Sequence, residues 1–390
     1  MPPQRIKGNY FKTHYHLDQN KNYIMLISEI ITPLEKFAPT CYQESYDNCG
    51  LLAGNFNWVC SGVICTLDVT EAVVLEAKEK GCNLIVAHHP IIFSGLKKIT
   101  GKNYVEQTII ASIKNDIAIY AIHTNLDNVL AGVNNKIADK LGLINKKILA
   151  PKQNLLSKLI VFAPENAAEK VKEAIFNAGG GNIANYSECS FTTQGIGTFK
   201  GNENSNPTIG EPLIRSTISE IKIEVILPNY LQHYVIAKMI EAHPYEEVAY
   251  DIVPLSNSYQ TVGSGIVGEL ELEIGEFDFL NLLKKQFNLK VIKHTALLNK
   301  PIKKVALCGG AGSFLTKNAI AENADIYITS DIKYHEFFDA ENKIVIADIG
   351  HWESEQFTVE LLIEILQSNS PTFAVLKSSV NTNPVQYFIS

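Results

Sequence analysis

Leu84-Ile85-Val86-Ala87-His88-His89-Pro90 reads as a buried strand that stops in two imidazoles. Four consecutive apolar residues without polar alternation are the pattern of a parallel strand covered on both faces. Side chains alternate along a strand, so neighbouring histidines converge only where the strand ends and the chain bends. Pro90 favours such an end, because it offers no N–H to the ladder and restricts the backbone of His89. Imidazole is the commonest protein metal ligand, so the pair marks where a metal site would begin. The plainer alternative is two strand-end histidines bonded to water or backbone.

The same grammar surrounds this strand. Between Gly62 and Leu143 short apolar runs (Gly62–Leu67, Leu84–Ala87, Ala118–Ile122) alternate with amphipathic helices at Glu71–Lys80, near Val105–Asn115 and at Asn134–Leu141. This βαβα order predicts a mostly parallel sheet covered by helices. It returns after Val262, with Val305–Cys308, a helix near Leu315–Asn323, Ile326–Thr329, Ile344–Ala347 and a long helix from His351 to about Leu366. The expected fold class is therefore α/β, with two α/β halves forming one host domain whose strands belong to one sheet. Between the halves, Ser157 to Leu255 contains a weak repeat. Leu159-Ile-Val-Phe-Ala-Pro164 and Ile223-Glu-Val-Ile-Leu-Pro228 each lead through a proline into a helix, ending near Gly179 and His243. Two such units predict an inserted ferredoxin-like α+β domain, with Gly195–Pro212 as its exposed loop. The expected boundaries are 1–23 for a loose extension, 24–156 and 256–390 for the host halves, and 157–255 for the insert.

Three strand ends carry the candidate chemistry. His88 and His89 end the first, and Asp127 follows the second in His123-Thr-Asn-Leu-Asp127. The third, Ile344-Val-Ile-Ala-Asp348-Ile-Gly350, opens a helix with His351-Trp-Glu-Ser-Glu355. Ligand sites in open α/β sheets gather at the carboxyl ends of strands. His351 and Glu355, four apart, share one helix face, whereas Glu353 is expected to face solvent. Taken alone, His-xxx-Glu is often a surface pair; here it directly follows a buried strand. His88, His89, Asp127, His351 and Glu355 exceed what one tetrahedral ion takes and suit two divalent ions bridged by a carboxylate. Two such ions against two carboxylates leave positive charge that favours activated water and an anionic small-molecule substrate.

Composition limits the alternatives. A formal charge of −7 gives no overall attraction to nucleic acid or to an anionic membrane, although a local basic patch stays open. The seven cysteines form no CxxC pair, which fits reduced thiols in a cytoplasmic protein. No apolar stretch approaches the roughly 20 residues of a membrane span.

Six separated motifs in order carry a resemblance. They are Ser45-Tyr-Asp47-Asn48-Cys-Gly50-Leu-Leu-Ala-Gly54, Thr66-Leu-Asp68-Val-Thr, Ala87-His-His-Pro90, His123-Thr-Asn-Leu-Asp127, Ser330-Asp331-Ile-Lys-Tyr-His335 and Gly350-His351-Trp-Glu-Ser-Glu355. From about Met25 onward the chain resembles the dinuclear-metal-centre proteins known as GTP cyclohydrolase 1 type 2 homologs, in their long form with a PII/CutA-like insert. Asn185-Tyr-Ser-Glu-Cys-Ser-Phe191 and His243-Pro-Tyr-Glu-Glu247 match that insert. The resemblance implies metal ligands at the same five residues, two divalent ions per chain (Zn, Fe or Mn) and a toroidal homohexamer. Cys49, Ala53 and Trp352 depart from the pattern without touching a proposed ligand. Substrate does not transfer with fold. A cyclohydrolase role would direct water at C8 of a guanine ring, with His335 shuttling protons; a phosphoesterase role would clamp attacking and leaving oxygens. The rival expectation is a non-enzymatic metal-binding ring, regulatory or in contact with nucleic acid.

Other residues have two readings each. Asp331 and His335 either donate a proton or bond a metal ligand, or else cap and pack a helix start. Asp47 and Asn48 either orient ligands or make an Asx turn. Asp68 is expected to cap the helix at Glu71, and His123 to be a hydrogen-bonded strand-end residue. Cys308-Gly-Gly-Ala-Gly312-Ser313 could hold a phosphate on backbone N–H groups but, with Leu315 in place of the last glycine, does not predict a dinucleotide site.

Overall fold

The computed structural model describes residues 25–370 and 373–388. The expected extension, residues 1–23, lies outside the described residues. The first strands are β1 (Gly50–Ala53), β2 (Val63–Thr66), β3 (Leu84–Ala87) and β4 (Ala118–Ala121). β5 (Ile144–Lys152) precedes the four strands of the central segment: β6 (Leu156–Pro164), β7 (Phe191–Lys200), β8 (Arg215–Pro228) and β9 (Tyr250–Leu255). Then come β10 (Tyr259–Ile274), β11 (Lys293–His294), β12 (Ile302–Ala311), β13 (Ile326–Ser330), β14 (Val345–Asp348) and β15 (Val375–Lys377).

These strands form three sheets, ordered β1-β4-β3-β2-β15, β11-β14-β13-β12-β10-β5 and β7-β8-β6-β9. The expectation of one host sheet is therefore corrected to two. Each has a parallel centre, β2-β3-β4 in the first and β12-β13-β14 in the second. Every residue of β2, β3, β4, β13 and β14 is buried, as the uninterrupted apolar runs require. One apolar core joins the inner faces of both sheets: Val63, Val86 and Tyr120 of the first pack in the same cluster as Val305, Ile328 and Ala347 of the second. Helices Ile27–Phe37, Val133–Lys140 and Thr358–Asn369 contribute to that cluster. The outer faces bury separate clusters around Ile64 and Ile85, and around Tyr327 and Ile346.

The third sheet is antiparallel and has its own core of Leu159, Val161, Ile175, Val225 and Met239, beneath helices Ala168–Asn177 and Gln232–Ala242. Its first and last strands pair at the ends where they join the rest of the chain, Leu156 opposite Leu255. Residues 195–200, expected in a loop, continue β7 in unbroken register with β8. Gly197 is accommodated there because the Glu220 side chain occupies the space a Cβ would take. The expected long helix from His351 is two helices, His351–Glu355 and Thr358–Asn369. At the break Gln356 Nε2 donates to the carbonyls of Glu353 and Phe287, and Phe357 packs edge-on against Phe287.

Candidate metal centre

The parallel centres of both host sheets aim their carboxyl ends at one cavity of about 820 Å³. From the first sheet come Asp68 after β2, His89 after β3, and His123 and Asp127 after β4. From the second come Cys308 and Gly309 near the end of β12, Asp331 after β13, Asp348 at the end of β14, and His351, Glu353 and Glu355 after it. Asp127 ends a single helical turn, Thr124–Asp127. Tyr46 and Phe93 stand exposed at the rim, ring centroids 6.4 Å apart and nearly stacked.

Each imidazole is held at Nδ1, so its Nε2 faces inward. His88 Nδ1 donates to the Ile122 carbonyl at 2.9 Å, His89 Nδ1 to Asp68 Oδ1 at 2.7 Å, and His351 Nδ1 to Asp331 Oδ2 at 2.6 Å. Such partners fix the tautomer and ring orientation of a metal-ligating histidine. Glu355, buried at the centre, spreads its two oxygens over two groups. Oε2 lies 2.9 Å from His89 Nε2 and 3.2 Å from His351 Nε2. Oε1 lies 3.9 Å from His88 Nε2, which is itself 3.5 Å from Asp127 Oδ1. Two donor triplets compact enough for an ion thus share Glu355: His89, His351 and Glu355, and His88, Asp127 and Glu355.

The protonation pattern follows from burial and charge. His88 is fully buried and burial pushes it down to about 4, so it is neutral. Its Nε2 is buried without a hydrogen-bond partner, a costly state for a lone pair unless something electrophilic is bound there. Burial also disfavours charge on His89, but Asp68 and Glu355 outweigh it and raise His89 to about 10. Burial and the neighbouring Glu355 raise Asp127, whereas the surrounding imidazoles overcome burial and lower Glu355. Buried imidazole nitrogens and carboxylates of this composition fit a divalent cation.

Some expected roles are revised. His335 is exposed in the turn Tyr334–Ala340, stacked on Phe338, and does not line the cavity. Asp331 does meet the site, through His351. Asp68 does not cap the helix at Glu71; Thr70 does, accepting from the Val73 N–H, which leaves Asp68 to hold His89. Glu353 is buried rather than solvent-facing and accepts from Asn383. The glycine-rich turn is no free phosphate cradle. Gly309 N–H donates to Asn134 Oδ1 and Gly310 N–H to Ser354 Oγ. At Gly310, φ is +64° and a Cβ would collide with the Glu355 carboxylate, so glycine here makes room for that side chain.

His123 is bonded, as expected of a strand-end residue, yet it also faces the site. Its Nδ1 donates to the buried Asp47 carboxylate at 2.8 Å, and Asp47 additionally accepts from the Asn48 and Thr124 N–H groups. Those donors hold Asp47 far below the usual carboxylate range despite its burial. The His123 ring lies 5.2 Å from that of His88 and 5.3 Å from that of His89. Asp47 and His123 are 76 residues apart, so only their shared place in the quoted motifs hinted at the pairing.

The chain as a whole resembles known proteins. Residues 25–384 match the model of the Duf34/NIF3 (NGG1p interacting factor 3) family. The chain is 39% identical over 363 residues to a Halalkalibacterium halodurans protein named GTP cyclohydrolase 1 type 2 homolog, covering 92% of this chain and 98% of that one. A Bacillus subtilis protein of the same name is 37% identical over 365 residues, covering 92% and 98%. Among solved structures, a Bacillus cereus protein related to NIF3 superposes with a TM-score of 0.83 at 38% identity, covering 94% of this chain and all of the other.

Proposed function

Since this chain belongs to the Duf34/NIF3 family, we propose that it is a dinuclear divalent-metal protein and a metal-dependent hydrolase acting on a nucleotide or similar phosphorylated substrate. The observation that carries the reading is Glu355, whose Oε2 faces the Nε2 atoms of His89 and His351 while its Oε1 faces that of His88. His88, His89, Asp127, His351 and Glu355 are the residues that would hold the metal, with Glu355 common to both donor groups. When bound, a pair of Zn, Fe or Mn ions supplies Lewis acidity and lowers the pKa of water.

The chain's own groups do the rest. Asp68, Asp331 and the Ile122 carbonyl orient the imidazoles. His123, backed by Asp47, opens toward the cavity and takes the proton-carrying role expected of His335, which does not line the cavity. The stacked Tyr46–Phe93 pair offers a flat apolar rim suited to a purine ring. The same reading extends to assembly and place. The motifs support a toroidal homohexamer. The strand order β7-β8-β6-β9, that of a split βαβ unit, supports a PII/CutA-like character for the ferredoxin-like insert. Seven unpaired cysteines support a reducing, cytoplasmic setting, and among the described residues no helix is long and apolar enough to cross a membrane.

The test is a metal-loaded preparation assayed against GTP and simple phosphodiesters. Turnover is expected, and it disappears on chelation and in Asp127→Ala. Absence of turnover from fully loaded protein would refute the hydrolase and leave the metal-binding ring, regulatory or nucleic-acid-contacting, as the function. Turnover surviving complete metal removal would place the chemistry elsewhere.

A further inference from the structure

The segment after β15 runs between the two halves of the site and bonds to both. Residues 379–388 form no helix or strand, yet they are anchored side chain by side chain. Glu76 on the first half fastens the start, accepting from Ser378 Oγ at 2.5 Å and from the Ser379 N–H at 2.8 Å. Thr382 Oγ1 then donates to Asp68 Oδ2 at 2.8 Å. That oxygen is the second one of the carboxylate whose Oδ1 holds His89. The next residue, Asn383, donates through Nδ2 to Glu353 Oε1 at 3.1 Å, on the short helix that carries His351 and Glu355. Pro384, Val385 and Tyr387 continue along the cavity wall.

Consecutive residues therefore grip the two sheets at the point where their donors meet. The χ2 torsion of an aspartate is soft, and Asp68 is about one-third exposed. Held at one oxygen it swivels; held at both it fixes the plane in which His89 Nδ1–H must lie. Metal–ligand distances lie within about 0.2 Å of their standard values, so a shift transmitted through Asp68 or Glu353 bears on the fit of an ion.

We propose that this segment is a clasp of the metal centre: Thr382 and Asn383 are positioning residues that act through Asp68 and Glu353 to set the spacing between His89 on one sheet and His351 with Glu355 on the other. The inference rests on the metal reading above.

The test is a cobalt(II) titration of the metal-free full chain, followed by visible absorption, with thermal melts alongside. Wild type is expected to bind tightly, and Thr382→Val with Asn383→Leu to bind at least about tenfold more weakly with an altered spectrum, the range expected when a group that holds a ligand is lost. Thr382→Ser, which keeps the hydroxyl, is expected to retain wild-type affinity. If wild type itself takes no cobalt, the metal reading falls and the clasp with it. If wild type binds and the double variant titrates identically, the clasp alone is overturned. Equal losses in Thr382→Ser and Thr382→Val would likewise refute a role for the hydroxyl bond. Should the double variant melt far below wild type, the single Thr382→Val titration decides by the same criteria.

Discussion

His89 Nε2 and Glu355 Oε2 lie 2.9 Å apart across 266 residues of sequence, one hanging from the end of β3 and the other from the helix after β14. Without a cation, a proton on His89 holds this contact together. A metal ion taking the same two atoms must first expel that proton.

Metal uptake is therefore expected to release protons. The opposing carboxylates outweigh burial and raise His89 to about 10 and His351 to about 9, against an unperturbed value of about 6.5. Both are protonated in the metal-free chain at neutral pH, so loading should release these two protons, together with any that the raised Asp127 carboxyl holds. Apparent affinity should climb from pH 6.5 to about 9. The metal-free fold shows the reverse sign. Folded pKa values above the unfolded ones contribute stability that is complete below about 6.5 and is lost as pH rises through 9 to 10. Calorimetry in buffers of different ionisation enthalpy, with melts across pH, measures both. Proton release near zero at pH 7 would contradict the assignment.

Stoichiometry is the second expectation. Protein purified without chelators and reconstituted at neutral pH should hold two divalent ions per chain. Glu355→Ala, which removes the shared carboxylate, should hold at most one, and His88→Ala should lose the ion on the Asp127 side. Elemental analysis decides; wild type saturating at a single ion would rule out the dinuclear arrangement.

Gly310→Ala isolates the local backbone. A side chain at this φ of +64° costs roughly 1–3 kcal/mol, and its Cβ would press on the Glu355 carboxylate. The variant is expected to fold with a lowered denaturant midpoint and to lose metal more severely than a stability change of that size explains. Unchanged metal content would show that Glu355 tolerates displacement.

The third sheet is expected to be dispensable for the centre. Leu156 pairs with Leu255, the strand ends sit side by side, and the apolar core beneath the sheet is its own. Joining Leu155 to Ser256 through a short Gly/Ser linker should leave a folded host that binds metal and assembles as the full-length chain does. Light scattering and metal analysis on that deletion test it. Loss of both solubility and metal would mean that the segment is integral to the host.

How legible was this molecule in its sequence? Leu84–Ala87 and Ala118–Ala121 were readable because a strand covered on both faces must be apolar at every position. The candidate donors drew attention because they follow such runs within a few residues. Membership of two different sheets was not, since an apolar run records that a strand is covered and not what pairs with it. The long strand β10 escaped notice because its apolar positions are interrupted by Gly263, Gly265 and Gly268, which fit around close backbone and side-chain neighbours. Pairings such as Asp68 with His89 and Asp47 with His123 join residues 21 and 76 apart, and no local pattern encodes them. His335 looked equivalent to Asp331 because both follow the apolar run of β13 within a few residues; Asp331 lines the cavity, whereas His335 is exposed outside it and stacks on Phe338.

The first sheet takes its edge strand, β15, from residues 375–377, more than 250 residues after β4 has been made. During synthesis, β1 to β4 must therefore wait through the entire second sheet with the flank of β2 uncovered. A ribosome that stalls before residue 375 releases a chain whose first sheet has an open, adhesive border. Such fragments are expected to aggregate or be degraded, so that competent protein is obtained only from chains that have been carried through β15.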